Sequence, residues 1–357
     1  MSFYGLLLLP FSLLYGLVTW IRNKLFDWGI LKEIEHQIPI ISVGNLSMGG
    51  TGKTPMIEYL IRLLKDEYKL AALSRGYGRK TKGFVLANKN SKAIAIGDEP
   101  LQYALKFDSI HVAVSENRNK GVQELIKSVP DLDLVLLDDA FQHRYIKPGL
   151  NILLTEFYRL YTDNYVFPSG SLREFRFGAE RADIVVVTKT PITLSPITRR
   201  RIAGELHLKK HQLLLFSKIE YGDLIPYSFF NLGRLKKRYA NIILFTGIAN
   251  NYPLQDHLRQ ICSELTVLTF SDHHHFNQKD VVEILKAYNN IFGKNKILVT
   301  TEKDIMRLKD FDKMYLFNEI PLLYIPIHTV FHNGDGDLLA DKIKSYLSNS
   351  KRLIKEV

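Results

Sequence analysis

The chain has 357 residues, of which 46% are hydrophobic and 24% charged, and it carries a net charge of +11 and a single cysteine. This composition is that of a globular protein long enough for two domains; it excludes a disordered chain, and one cysteine excludes an internal disulfide. The basic excess favours a polyanionic partner such as nucleic acid, anionic lipid headgroups or a phosphorylated substrate, with a basic surface that has no particular partner as the alternative. No signature of the common nucleic-acid-binding modules accompanies the charge, so we expect no nucleic acid partner.

An uncharged apolar run at 3–20 begins the sequence and is followed by Arg22 and Lys24. It has neither the basic segment before it nor the cleavage site after it that a signal peptide needs. The run is at the lower length limit for a membrane span, and Pro10 would kink it. We therefore expect a helix in the membrane interface, with Trp20 at headgroup depth, and keep a spanning helix and a buried core helix as alternatives. If the helix spans, the basic flank keeps the rest of the chain cytoplasmic, and in either case we expect a cytosolic body.

Residues 38–60 predict a nucleotide site. A β-branched run at 40–43 leads into a glycine-rich loop that ends in Gly52-Lys53-Thr54 before a helix-patterned segment. In this context backbone N–H groups cradle phosphates, Lys53 reaches the β- and γ-phosphates as a catalytic cation, and Thr54 ligates Mg²⁺. The predicted nucleotide-binding residues of the loop are Ser47, Met48, Gly49, Gly50, Thr51, Gly52, Lys53 and Thr54. Because Ser47 stands where the usual motif has glycine, a glycine-rich turn with an incidental lysine is the alternative.

Further apolar segments alternate with helix-patterned segments behind this loop, at 70–74, 110–114, 132–137, 151–155 and 184–188. This alternation predicts a doubly wound, mostly parallel sheet of the P-loop NTPase type. A stretch rich in glycine, proline and basic residues at 221–240 ends the series, and a second series follows with strands at 242–246, 265–270, 296–300 and 322–326. We predict an α/β protein in four parts: a membrane-associated helix (1–30), a P-loop core (31–222), a linker (223–240) and a smaller α/β lobe (241–357).

Two pairs of adjacent carboxylates are candidates for metal and proton chemistry. Asp138 and Asp139 close a buried apolar strand, where P-loop proteins hold Mg²⁺; a simple strand-ending turn is the alternative. Asp98 and Glu99 lie in a glycine-bounded loop at a predicted strand end, where they can serve as catalytic base and second metal ligand. From the residues alone, a helix start with Asp98 as N-cap and Glu99 in the first turn is the favoured interpretation.

Three histidines, His273, His274 and His275, follow a strand of the second series. One of them, oriented toward a carboxylate across a cleft, would act as the partner of a base; exposed loop histidines are the alternative. Two other polar segments give weaker signals. Capping of a helix that begins near Glu302 explains much of 299–304, and the loop at 167–174 carries Arg173, which could meet a phosphate.

Nine short motifs, in this order along the chain, resemble the tetraacyldisaccharide 4′-kinases of lipid A biosynthesis: VGNLSMGGTGKTP, SRGYGR, GDEP, LLDDAFQHR, PSGSLRE, ADIVVVTKT, FTGIANN, SDHH and TTEKD. The resemblance runs from the N-terminus to about Asp304, and the family shares the Ser47 departure. It implies ATP- and Mg²⁺-dependent phosphorylation of the 4′-hydroxyl of a tetraacylated glucosamine disaccharide 1-phosphate at the cytoplasmic face of the inner membrane.

The resemblance also implies roles for individual residues. Asp98 matches the catalytic base and His273 its partner, while His274 and His275 receive no role. The metal-site positions are matched by Thr54, Glu99, Asp138 and Asp139, and further nucleotide-site positions by Arg118 and Gln142. The expected partners are the acylated disaccharide phosphate and the membrane surface, with no obligate protein partner. A membrane-associated P-loop switch or partitioning ATPase is the alternative function.

Overall fold

The computed structural model describes residues 3–227, 236–272, 274–309 and 314–355. Its helices are α1 Phe3–Leu7, α2 Leu9–Asp27, α3 Lys53–Leu64, α4 Ala93–Ile96, α5 Asp98–Lys106, α6 Arg118–Ser128, α7 Pro196–Leu206, α8 Tyr252–Arg259, α9 Gln278–Asn289, α10 Glu302–Lys309 and α11 Asp335–Lys355. Its strands are β1 Ile40–Asn45, β2 Leu70–Ser74, β3 Val85–Leu86, β4 His111–Val114, β5 Leu134–Asp138, β6 Leu150–Glu156, β7 Ile184–Thr188, β8 Leu213–Tyr221, β9 Ile225–Pro226, β10 Tyr239–Thr246, β11 Cys262–Thr269, β12 Lys296–Thr301, β13 Leu322–Ile325 and β14 Ile327–Phe331.

The larger of two sheets has the strand order β14-β8-β7-β6-β1-β5-β2-β4-β3. Its neighbours pair in parallel except at the two edges, where β3 is antiparallel to β4 and β14 is antiparallel to β8. Strand β1 lies between β5 and β6, so the loop that follows it opens near the middle of the sheet. In open α/β sheets, ligands bind at this carboxyl edge of the strands.

Helices cover both faces of the larger sheet. On one face, α3 and the C-terminal helix α11 share a core that includes Ile57, Leu60 and Leu339. On the opposite face, α6 contributes Val122 and α7 contributes Ile202. Strands β1, β2, β5 and β7 are buried along their whole length, as parallel strands covered on both faces must be. The predicted doubly wound α/β fold is therefore confirmed.

The smaller sheet has the order β11-β10-β12-β13-β9, with only its edge strand β9 antiparallel within the described chain. Helix α8 packs on one face, whereas α9 and α10 pack on the other. The chain then returns to the larger sheet as β14 and α11. The predicted domain bounds at 222 and 240 stay a prediction. Within the predicted C-terminal lobe, β14 joins the larger sheet and α11 packs on it. Residues 228–235 of the predicted linker lie outside the described residues.

Helix α2 packs on the body of the protein through small and polar side chains. Ser12 bonds the Ser169 hydroxyl at 2.8 Å, and Asn23 Nδ2 donates to Glu174 at 2.6 Å. Gly16 lies at this contact, where a Cβ would collide with the ring of Phe175 unless the ring shifted. The opposite face exposes large apolar side chains, among them Leu13, Leu14, Leu17, Val18 and Ile21. Each helix in the described part of the chain is too short or too polar to span a bilayer.

The predicted strands of both series are present; 70–74 and 184–188 match β2 and β7 at both ends, and the others have one or both ends shifted. One local prediction is wrong: the segment before Asp98 is the short helix α4 rather than a strand, and α5 begins directly after Gly97. The sequence pattern did not predict α7, nor β8 and β14, the two strands that extend the larger sheet at one edge. These elements are only partly buried, so their patterns are less regular than those of the central strands.

Candidate active site

The glycine-rich loop joins β1 to α3 and is held from two sides. Gly52 is the N-cap of α3 and has a φ of +87°, a conformation that favours glycine. The Thr188 hydroxyl donates to the Thr51 carbonyl at 2.8 Å, which ties the loop to the end of β7. On the other side, the Met48 N–H donates to the Ser171 carbonyl at 2.6 Å. The loop is therefore held in place by hydrogen bonds to segments on both of its sides.

The predicted loop residues differ in exposure. Ser47, Thr51 and Thr54 are buried, whereas Gly49, Gly50 and Met48 face outward at the loop tip. Lys53 Nζ lies 3.3 Å from Asn45 Oδ1 and 3.7 Å from Asp139 Oδ1. The lysine thus extends across the loop toward the end of β5, where a bound phosphate would meet both cation and backbone N–H groups.

The first turn of α5 places two carboxylates beside this loop. Thr54 Oγ1 donates to Glu99 Oε1 at 2.8 Å, so a predicted metal ligand of the loop touches a predicted metal ligand of α5. Burial raises the pKa of Glu99, but the charge and hydrogen bond of Lys303, together with the charge of Lys53, outweigh it, so the pKa lies below its usual value. Asp98 Oδ2 accepts hydrogen bonds from Arg307 at 2.8 Å and 3.0 Å. Both carboxylates therefore meet cations of α10.

Asp138 and Asp139 occupy the end of β5, next to β1. The Tyr103 hydroxyl donates to Asp138 Oδ2 at 3.2 Å, while Asp138 Oδ1 is buried with no hydrogen-bond partner among the described residues. Burial, with repulsion by Glu99 and Asp139, raises the pKa of Asp138 to about 7. Asp139 is paired with Arg173 at 2.9 Å and 3.1 Å. Asp139 thus has a cationic partner, whereas one buried oxygen of Asp138 is left unsatisfied among the described residues.

This donor set fits Mg²⁺. Within the described ranges, no three His, Cys, Asp or Glu side chains are already gathered closely enough to hold a metal ion. Mg²⁺, however, keeps several waters and usually takes only one or two carboxylates together with substrate phosphates. A hydroxyl at Thr54, a carboxylate at Glu99 and the orphaned oxygen of Asp138 match that requirement.

Two other predicted nucleotide-binding residues lie nearby in different environments. Arg118 is buried; it donates to the Ser115 carbonyl at 2.7 Å and the Asp138 carbonyl at 3.3 Å, and burial lowers its pKa to about 10. Through these bonds Arg118 connects the residue that follows β4 to the last residue of β5. Gln142 Nε2 donates to the Asn45 carbonyl at 2.9 Å, so this side chain touches the start of the loop.

Sequence reasoning missed the importance of helix α10. Lys303 and Arg307 reach the carboxylates of α5, although residues 299–304 had been explained mainly by helix capping. The predicted arginine of the loop at 167–174, Arg173, meets Asp139 instead of an open anion site. His273, the predicted partner of Asp98, lies outside the described residues. The sequence shows an acidic pair at the start of α5 and two basic residues four apart on α10, but neither pattern indicates that the two helices meet.

Comparison with known proteins identifies the family. The model of the tetraacyldisaccharide-1-P 4′-kinase family matches residues 4–347. The chain belongs to this family. A tetraacyldisaccharide 4′-kinase of Bacteroides thetaiotaomicron is 43% identical, with 97% of this chain and 94% of the relative covered. One of Flavobacterium psychrophilum is also 43% identical, with 98% and 99% covered. A structure of LpxK from Aquifex aeolicus in complex with ATP has a TM-score of 0.72 at 28% identity and covers 96% of this chain and 99% of that one.

Membership of the 4′-kinase family confirms the predicted enzyme class, a phosphotransferase with an alcohol acceptor. It also confirms the resemblance on which the sequence motifs were interpreted, and it does not favour the switch or partitioning ATPase alternative. The roles of individual residues remain predictions, which the geometry above informs.

Proposed function

We propose that this 4′-kinase transfers the γ-phosphate of ATP to the 4′-hydroxyl of a tetraacylated glucosamine disaccharide 1-phosphate. The observation that carries the proposal is the contact between Thr54 of the phosphate-binding loop and Glu99, directly beside Asp98. A kinase with a hydroxyl acceptor needs a base next to the site of its phosphate donor, and α5 supplies a carboxylate there.

The donor site is formed by the loop at 47–52 and the start of α3. Backbone N–H groups of the loop bind the β- and γ-phosphates, and Lys53 stabilises the negative charge that develops as the γ-phosphoryl group transfers. Mg²⁺ held by Thr54, Glu99 and the carboxylates that end β5 would supply further charge neutralisation on the phosphates. Gln142 and Arg118 fix the strand ends on either side of this site.

Asp98 takes the acceptor's proton. The 4′-oxygen forms a bond to the γ-phosphorus, the bond from that phosphorus to the β–γ bridging oxygen breaks, and its electron pair leaves with ADP. The hydroxyl proton passes to Asp98, which must be ionised to receive it. Arg307, within 3.0 Å of Asp98, favours that ionised form. His273 stays the predicted second partner, completing the pair from the smaller sheet.

The test is transfer of labelled γ-phosphate to a tetraacyldisaccharide 1-phosphate in detergent, with ATP and Mg²⁺. The matched acceptor is the same lipid with its 4′-hydroxyl replaced by hydrogen. We expect label in the first lipid and none in the second. Equal labelling of both, or labelling of neither by folded protein, would disprove the proposed reaction.

We further propose that α2 binds the cytoplasmic surface of the inner membrane. A surface helix normally turns its apolar side chains inward. In α2 Phe26 does so, but Ser12 and Asn23 also face the protein, whereas Leu14 and Leu17 face outward at 62% and 48% exposure. An acyl-chain environment removes this apolar surface from water, and the net charge of +11 suits anionic headgroups.

Vesicle sedimentation tests the membrane proposal. Leu14→Glu combined with Leu17→Glu is expected to reduce binding to anionic vesicles by about tenfold or more, because it removes apolar contact and adds negative charge. The control is Ile197→Glu, at a 78% exposed position of α7, which should leave binding unchanged. Equal loss from both changes would mean that net charge alone drives binding.

A further inference from the structure

The contact between α5 and α10 contains three basic side chains, of which the proposed reaction uses only Arg307. Lys303 meets Glu99, Arg307 meets Asp98, and Lys106 of α5 bonds both oxygens of Glu302 at 2.8 Å. Three ion pairs therefore join the helix that carries the predicted base to a helix of the smaller sheet. Lys303 and Arg307, which pair with Glu99 and Asp98, both belong to α10.

Helix α10 is itself held in place, which fixes where Lys303 and Arg307 lie. Arg307 Nη1 donates to Asp304 at 3.0 Å and to the Gly247 carbonyl at 3.1 Å. Asp304 is fully buried and accepts from the Thr246 and Thr301 hydroxyls, each at 2.7 Å. A chain of bonds thus runs from the ends of β10 and β12 to the first turn of α5.

Lys303 and Thr54 share one carboxylate oxygen, Glu99 Oε1. Thr54 and Glu99 are the groups that we propose to hold Mg²⁺. The Lys303 ammonium therefore touches the oxygen that the metal would use, and supplies positive charge there without a metal. Its side chain is 30% exposed, so it has room to leave this oxygen for solvent.

We propose that Lys303 is a positioning residue that neutralises Glu99 before Mg²⁺ arrives and is displaced from Glu99 Oε1 by the metal. The inference rests on the proposed function, because it needs Mg²⁺ to bind with ATP at Thr54 and Glu99. It has a direct thermodynamic consequence: part of the metal's binding free energy goes into breaking the Lys303–Glu99 pair. Removing the lysine makes ATP binding depend more strongly on Mg²⁺.

The experiment measures equilibrium binding of the non-hydrolysable analogue β,γ-imido-ATP by calorimetry, with saturating Mg²⁺ and with metal chelated. The quantity compared is the magnesium enhancement, defined as the ratio of the two affinities. Lys303→Met is expected to raise it about three- to fivefold, the upper range of a partly exposed ion pair. Lys303→Arg, which keeps the charge, should restore the wild-type ratio. Lys344→Met, which removes an exposed pair with Glu67, is the matched control and should not change it.

A double-mutant cycle tests whether Lys303 changes the magnesium enhancement through Glu99. In a Glu99→Gln background, Lys303→Met should leave the magnesium enhancement unchanged within twofold, because Lys303 acts through that carboxylate. If Lys303→Met alone lowers the affinity equally with and without metal, the lysine contacts phosphate and the inference is wrong. An unchanged ratio with a lower melting temperature would show a purely structural ion pair and would also overturn it.

Two further readouts keep the test decisive. If Lys303→Met does not fold, Lys303→Gln replaces it with the same expected rise, and an unchanged ratio there overturns the inference. Failure of the proposed function is seen separately, as wild-type protein that does not bind the analogue at all. A wild-type protein that binds the analogue, with no rise in either variant, contradicts the role of Lys303 alone.

Discussion

Replacement of Lys106 by methionine perturbs the buried contact between α3, α5 and α10. Lys106 Nζ lies 2.8 Å from Glu58 Oε2 and 2.8 Å from both carboxylate oxygens of Glu302. The two glutamate side chains are only 1% and 7% exposed. Burial and the neighbouring Glu58 already raise the pKa of Glu302, and Lys106 opposes that rise. Without the lysine, two buried carboxylates face each other.

The expected cost follows from these contacts. Removing one partner of a buried pair typically destabilises a protein by about 3–5 kcal/mol. Lys106 is 21% exposed, and Arg62 remains bonded to Glu58 at 2.7 Å, so both reduce the penalty. We expect Lys106→Met to lower the free energy of unfolding by about 2–3 kcal/mol. The exposed pair removed by Lys344→Met should contribute less than about 0.5 kcal/mol.

Urea unfolding at two pH values checks this reasoning. A carboxyl group whose pKa is raised in the folded state binds a proton more readily when folded, so its penalty is present at high pH and disappears as pH falls through the raised pKa. The deficit of Lys106→Met should therefore shrink between about pH 8 and about pH 5. Adding Glu302→Gln should recover part of it. A deficit below about 0.5 kcal/mol, or one that does not vary with pH, would refute the account.

Two other substitutions test the site and the N-terminal helix. Asp98→Asn should lower kcat by about 10²–10⁴-fold while the affinity for β,γ-imido-ATP changes little, because the amide cannot accept the acceptor's proton; parallel loss of nucleotide affinity would indicate a structural Asp98. Gly16→Val should lower the melting temperature, because its Cβ meets the Phe175 ring, whereas Leu14→Val on the exposed face should not; equal melting temperatures would contradict the packing of α2.

The central strands could be predicted because their burial leaves a simple pattern. Strands such as β2 and β7 are apolar up to their last residue, and Gly52 and Lys53 stand in a motif between a strand and a helix that favours a phosphate-binding loop. Asp98 illustrates the limit. The preceding segment AIAI reads equally well as a strand or a helix turn, and four residues are too few for periodicity to decide.

Ion pairs between distant segments could not be predicted from the sequence. Asp98 and Arg307 are 209 residues apart, and nothing in either local pattern indicates their contact. For Arg173, likewise, the sequence does not indicate whether the guanidinium binds a phosphate or pairs with Asp139, as it does in the structure. Partner choice for charged side chains depends on how α5, α10 and β5 are brought together, which is a property of the folded sheets rather than of any motif.

The central claim is that the site couples ATP cleavage to phosphorylation of a lipid hydroxyl. The most direct measurement is the ratio of lipid phosphorylated at the 4′-oxygen to ADP formed, determined on the same reaction with the tetraacyldisaccharide 1-phosphate as acceptor. The account predicts a ratio of about one for the wild-type protein and little ADP when the acceptor is absent, because Asp98 activates the sugar hydroxyl rather than water. ADP formation at an equal rate with and without acceptor, and no 4′-phosphate in the lipid, would contradict it.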